Sequence, residues 1–174
     1  KEIKLGNQIF WVCPLIEESK KLDHSSAVKK SEYLNELFPK QVFLLHGKTT
    51  TEEKEMILNK FLKNEFKILV STTIIEVGID FPNANVIIIE NANKFGLSQL
   101  HQLRGRVGRG SKESSCILMF KSNLSDNAKK RINILKDSND GFKISEEDMK
   151  LRGFGDILGF KQSGIKNFKL ADPV

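Results

Sequence analysis

Five short apolar runs punctuate the chain, at residues 9–13, 42–46, 67–71, 86–90 and 116–120. Each is rich in Val, Ile, Leu or Phe, and none alternates with polar residues. A half-exposed strand alternates, whereas an unbroken run suits a strand covered on both faces, as in a parallel sheet. The intervals between the runs follow a longer period. Val28, Leu34, Leu37 and Phe38 stand at roughly helical spacing until Pro39 interrupts them, as expected just past a helix end. In the next interval Thr50 and Glu53 predict a capping box, followed by an apolar stripe of Met56, Ile57, Phe61 and Leu62. Strands alternating with helices in this order predict an α/β fold, a parallel sheet flanked by helices.

The pattern changes after Phe120. Ser125 is placed to cap a helix over residues 125–136, in which Ala128, Ile132 and Leu135 share a face. A further turn or two is expected over residues 145–151. Gly153, Gly155, Gly159 and Gly164 then predict an extended loop. The chain therefore divides into an α/β domain, residues 1–124, and an appendage of a small helical hairpin and loop, residues 125–174. No internal repeat or low-complexity tract is present.

Composition narrows the class. Hydrophobic residues make up 39% and charged residues 29% of the 174, enough to bury a core and too apolar for a disordered chain. The apolar runs are far too short to span a bilayer, so no membrane partner is expected. Cys13 and Cys116 lie in apolar stretches and read as buried thiols in a reducing, cytoplasmic setting. His24, His46 and His101 are scattered, with no zinc-like spacing, so no metal is expected to be held by protein residues. The net charge of +6 permits contact with a polyanion without demanding it. The chain opens on Lys1 with no charged-then-apolar leader and ends at Val174 with no stop in the pattern, which leads us to expect a longer parent.

The most informative segment is residues 99–110, QLHQLRGRVGRG, with three arginines and three glycines between Arg104 and Gly110. Each glycine would cost a helix interior roughly 1 kcal/mol relative to alanine, and close backbone approach to a ligand is the expected compensation. Guanidinium groups are planar, permanently charged and able to fork onto phosphate oxygens. A solvated arginine-rich helix end would account for the composition equally well. The order of residues decides. Gln102-x-x-Gly105-Arg106-x-Gly108-Arg109 resembles motif VI of superfamily 2 helicases. That resemblance implies a RecA-like lobe in which Arg106 and Arg109 act as arginine fingers on ATP, and Gln102 links nucleotide state to the DNA side. Such fingers are worth on the order of 10³–10⁵ in rate.

Two weaker segments agree with it. Residues 71–82, STTIIEVGIDFP, place hydroxyls at a strand end, where sheet ligands gather, and a carboxylate further on. Alone this is an ordinary strand–turn–helix junction. It resembles motif V of the same superfamily, which implies DNA contacts at Thr72 and Thr73 and nucleotide contacts at Gly78 and Asp80. His46-Gly47-Lys48 opens the capped helix, where free amides can seat a phosphate. By its position it resembles the family's DNA-backbone contact region, through His46 and Gly47.

The resemblance narrows to the RecG family on CPLIEES at residues 13–19, on NANKFGLSQLH at 91–101, and on DSNDGF at 137–142 followed by LRGFG at 151–155 and QSG at 162–164. These tail segments are similar to the translocation motif of RecG and Mfd, in which Arg131, Arg152 and Gln162 match coupling positions; Phe154 stands where proline is common. The wording of the first and third segments favours RecG over Mfd. No G-x-x-x-x-G-K-[ST] phosphate loop occurs in the chain. The resemblance therefore implies a second motor lobe, inactive alone, whose ATP and Mg2+ are bound mainly by a first RecA-like lobe. Branched or duplex DNA, that first lobe and a wedge domain are the implied partners, and the nucleoid-associated cytoplasm the implied location. An Mfd-type lobe, a DEAD-box RNA helicase lobe and a nonenzymatic RecA-like adaptor are the alternatives.

Overall fold

All five apolar runs form strands of one sheet. The computed structural model describes residues 1–14, 20–72, 81–108, 113–120 and 122–152. The strands are β1 (Gln8–Val12), β2 (Val42–Leu45), β3 (Ile68–Ser71), β4 (Ala84–Ile89) and β5 (Ser115–Leu118). Every pairing is parallel and the order across the sheet is β2-β3-β1-β4-β5. This is the RecA-like arrangement, with helices α1 (Lys20–Leu37), α2 (Thr51–Leu62) and α3 (Leu97–Arg104) between strands.

The unbroken apolar runs have a simple cause. Successive side chains of a strand point to opposite faces, so a central strand must satisfy two cores at once. In β3, Ile68 and Val70 enter one cluster with Ala27 and Leu34 of α1, while Leu69 enters the other with Ile57, Leu58 and Phe61 of α2. In β1, Phe10 and Val12 join the α2 side, and Ile9 and Trp11 pack toward α1. Edge strand β5 departs from the expectation. Cys116 and Leu118 pack against the core, but Ser115 and Ile117, on the opposite face, are exposed; among the described residues β4 is the one strand that pairs with β5.

Helix starts follow the predicted chemistry. Thr50 Oγ1 accepts the Glu53 amide and Glu53 Oε2 accepts the Thr50 amide, both at 3.3 Å, completing the capping box of α2. Only Ile57 and Phe61 of the predicted stripe are buried; Met56 and Leu62 face solvent, and Leu58 takes the inward position instead. In α1, Leu34 is buried while Leu37 is exposed.

The appendage consists of α4 (Asp126–Asp137) and α5 (Gly141–Arg152). Ser125 caps α4 as expected, its hydroxyl accepting the Ala128 amide. Helix α5 begins four residues before the predicted position. Asp140 is the reason: its Oδ1 accepts the Phe142 amide at 2.9 Å and starts the helix there. Leu135 of α4 and Ile144 of α5 share one core cluster with Leu97 and Leu100 of α3, so the hairpin packs onto the lobe. The predicted loop after residue 152 lies outside the described residues.

Gln8 is 1% exposed at the start of β1, and its Nε2 donates to Phe61 O at 2.7 Å and to Phe66 O at 2.8 Å. It thereby satisfies a carbonyl in the last turn of α2 and one in the turn entering β3. Gln8→Leu removes the donor from Phe66 O, while Phe61 O keeps the Asn64 amide, at a cost on the order of 1–3 kcal/mol. Urea unfolding should show a lower midpoint with an unchanged slope. A midpoint equal to the parent's would show that this bridge contributes nothing.

Candidate nucleotide and nucleic-acid edges

The candidate residues collect at opposite ends of the parallel strands. At the carboxyl edge, His46 follows β2 and Thr72 follows β3, and the Thr72 amide donates to Leu45 O at 3.1 Å. Adjacent strands thus set these two positions side by side. His46 anchors a tight turn: its amide donates to Thr49 Oγ1, its carbonyl accepts the Thr49 amide, and its Nδ1 accepts the Lys48 amide at 3.1 Å. Gly47 lies exposed in that turn. Thr72 is only 2% exposed. Thr73 lies outside the described residues.

Arg106 lies at the other edge. Helix α3 leaves the carboxyl end of β4 and runs back, delivering residues 105–108 beside the start of β4. There the Phe81 amide donates to Arg106 O, and the Gly108 amide to Ala84 O, both at 3.1 Å. Phe81 and Val107 form an isolated parallel bridge and are both buried. Phe81 directly follows Asp80, so this bridge ties the end of the motif V-like segment to the motif VI-like one. Gly78, Asp80 and Arg109 lie outside the described residues. His46 and Thr72 thus lie at strand ends, whereas Arg106 lies beside the strand starts, because a helix antiparallel to the strands ends where they begin.

Two glycines of the arginine segment differ in cause. Gly108 has φ +75°, and a Cβ there would sit 2.1 Å from Ser114 Oγ. Its glycine is demanded by the chain's own neighbours, which replaces the expected ligand approach as the explanation at that position. Gly105 has ordinary helical angles, is exposed, and would place a Cβ at ordinary contact distances, 3.5 Å and 3.6 Å, from Gln102 O and His101 O. Nothing in the described structure requires glycine there. Arg106 beside it is half-buried, and Gln102 is exposed on α3.

The hairpin residues are tied to the lobe. Arg131 Nη2 donates to Asn93 O at 3.1 Å, in the turn after β4, and its Nε is buried without a partner. It lines a cavity of about 420 Å3 with Ser125 and Asp148. Asp148, 7% exposed, accepts from the Ser98 hydroxyl, a contact between α5 and α3 that sequence reasoning missed. Arg152 closes α5, and Gln162 lies outside the described residues. Arg104 was also missed as a separate actor: its Nη1 donates to Leu135 O at 2.7 Å and to Ser138 O at 2.9 Å. The signal available was the three-residue spacing of His101 and Arg104 on one helix face. Burial pushes the Cys13 thiol up to about 12 and that of Cys116 up to about 11, so both are inert thiols. Among the described residues no cluster of metal-ligating side chains occurs, and no helix is long and apolar enough to cross a membrane.

Comparison with known proteins gives consistent matches. Residues 2–111 match the family described as helicase conserved C-terminal domain, and residues 138–173 match that described as ATP-dependent DNA helicase RecG, domain 3, C-terminal. The chain is 50% identical to the ATP-dependent DNA helicase RecG of Bacillus subtilis over 176 aligned residues, covering 100% of the chain and 26% of that protein. It is 51% identical to RecG of a Synechocystis species, covering 100% of the chain and 21% of that protein. A solved structure of RecG bound to a three-way DNA junction aligns with a TM-score of 0.77 and 45% identity, over 98% of this chain and 21% of that one. The chain thus spans about a quarter of the length of the relatives it matches.

The two glycines generate a paired test of stability. Gly108→Ala should lower the thermal midpoint by several degrees, since strain at positive φ adds to the collision with Ser114. Gly105→Ala should leave the midpoint unchanged or slightly raised. Equal losses in both variants would show that Gly105 too is required by the fold.

Proposed function

We propose, because the chain belongs to the helicase conserved C-terminal domain family, that it is the second motor lobe of a RecG-type ATP-dependent DNA helicase that remodels branched DNA. The observation that carries the reading is the joint at Phe81. It holds Phe81, the residue after Asp80 in sequence, against the backbone of Arg106, which supports a reading in which the two motifs serve one nucleotide. The positions named for DNA, His46 and Thr72, share the opposite edge.

The residues present suit one half of a nucleotide site. Gly105 is exposed and no described neighbour demands glycine there, so a phosphate would approach backbone at that position, and Arg106 and Arg109 would supply permanent positive charge. The nucleotide supplies a triphosphate on which negative charge grows during transfer. Arg106 and Arg109 would stabilise that charge, Gly78 and Asp80 would contact the nucleotide, and Gln102 would report its state across α3. Magnesium would come with the nucleotide on a first lobe, since the described residues offer no acidic cluster for it. Thr72, Thr73, His46 and Gly47 would meet the DNA backbone, and Arg131, Arg152 and Gln162 would couple lobe closure to movement along duplex DNA. The partners are then a first RecA-like lobe, a wedge domain and branched DNA, in the nucleoid-associated cytoplasm. The match of residues 138–173 to the RecG domain supports RecG over the Mfd-type alternative.

In the full-length parent, Arg106→Ala or Arg109→Ala should lower DNA-stimulated ATP turnover by on the order of 10³-fold or more while sparing DNA affinity. If affinity and turnover fell together, these arginines would be DNA contacts. Gly105→Ala should also depress turnover without loss of stability. The chain by itself should show negligible ATPase, and robust turnover by a clean preparation would sink the split-site reading.

A further inference from the structure

Of the three arginines in the LRGRVGR segment, the proposed function uses two. The side chain of Arg104 turns toward the hairpin. Leu135 O belongs to the last turn of α4 and Ser138 is its C-cap, so both carbonyls that Arg104 Nη1 binds lie at the helix end. Carbonyls at a helix C-terminus lack intrahelical donors and carry partial negative charge, which a guanidinium answers on both counts. The third bond fixes the side chain from below. Arg104 Nη2 lies 3.0 Å from His101 Nδ1, and because arginine can only donate, the histidine must accept. That requires a neutral ring with its proton on Nε2. Burial and the neighbouring Arg104 charge both lower the pKa of His101, in the direction that keeps the ring neutral.

The same turn touches the second helix of the hairpin. Gly141 opens α5 against His101, where an added Cβ would lie 3.3 Å from Nε2. Further along, Ser98 of α3 donates to Asp148 of α5. Arg104 is the final residue of α3; two residues on, Arg106 is held by the Phe81 amide. One side chain therefore bolts the hairpin's turn to the helix end that carries the candidate arginine fingers.

We infer that Arg104 is a positioning residue that makes the α4–α5 hairpin move with the Arg106 turn, and that it contacts neither nucleotide nor DNA. The inference rests on the proposed function and deepens it, by naming the link between the nucleotide edge and the coupling appendage. A lysine could donate to one of the two carbonyls but lacks the planar fork that reaches both and the histidine together.

The test uses the full-length parent with Arg104→Ala and Arg104→Lys, comparing kcat and KM for DNA-stimulated ATP hydrolysis with junction unwinding on the same preparations. Both variants should keep kcat and KM within about twofold while unwinding per ATP falls by about tenfold or more in Arg104→Ala and less in Arg104→Lys. Should Arg104→Ala fail to fold, Arg104→Lys carries the test alone, because it keeps the charge and the aliphatic stem. Parallel loss of turnover and unwinding in Arg104→Lys would mark a nucleotide contact and overturn the inference; full unwinding in the folded variants would overturn it as well. Failure of the broader reading looks different: the unaltered parent would then show no DNA-stimulated turnover at all.

Discussion

The edge of the sheet that carries Arg106 depends on two backbone hydrogen bonds, from Phe81 to Arg106 and from Gly108 to Ala84. They join segments some twenty-five residues apart. The residues flanking them are buried, so the joint is set in the core while the arginine side chain beside it stays half-buried. Backbone pairing fixes position without spending side chains. The positive φ of Gly108 is part of the same construction, because it turns the chain toward Ser114 and the entry of β5.

A parallel sheet separates its two ends by the length of its strands, four to six residues here. His46 and Thr72 lie at one end and Arg106 at the other. Helix α3 is the element that spans the distance. Its N-terminal turn begins after β4 and faces Asp148 through Ser98, and its last residue is Arg104. The hairpin packs along the same helix, with Leu135 and Ile144 joining the cluster of Leu97 and Leu100. Sheet, α3 and hairpin form one contiguous packed body, the kind that transmits displacement.

How much of this the sequence reveals depends on whether the cause is local. Strand positions were legible because alternate residues such as Ile68 and Leu69 feed two cores and leave an unbroken apolar run. The same run misleads at β5, where apolar letters cannot say that the sheet stops. Capping by Thr50 and Ser125 is a local contact and was readable; Asp140 does the same work for α5 but was overlooked beside Gly141. In the candidate site, Gly105 and Gly108 are identical letters with different causes, since the collision with Ser114 is a tertiary fact. Arg104 was indistinguishable from Arg106 by composition, and only the placement of α4 shows which of them faces the hairpin.

One consequence of the β5 edge concerns the behaviour of the chain in concentrated solution. Its outer row of amides and carbonyls borders exposed Ile117, with exposed Met119 and Phe120 just beyond. Native sheets blunt such rims with lysine, proline or bulges, and the Ser-Cys-Ile-Leu strand has none of these residues. Its protection is brevity: four residues offer too few ladder bonds to template a second molecule, and a net charge of +6 repels copies at a distance. Because that repulsion is screened by salt, it weakens as ionic strength rises.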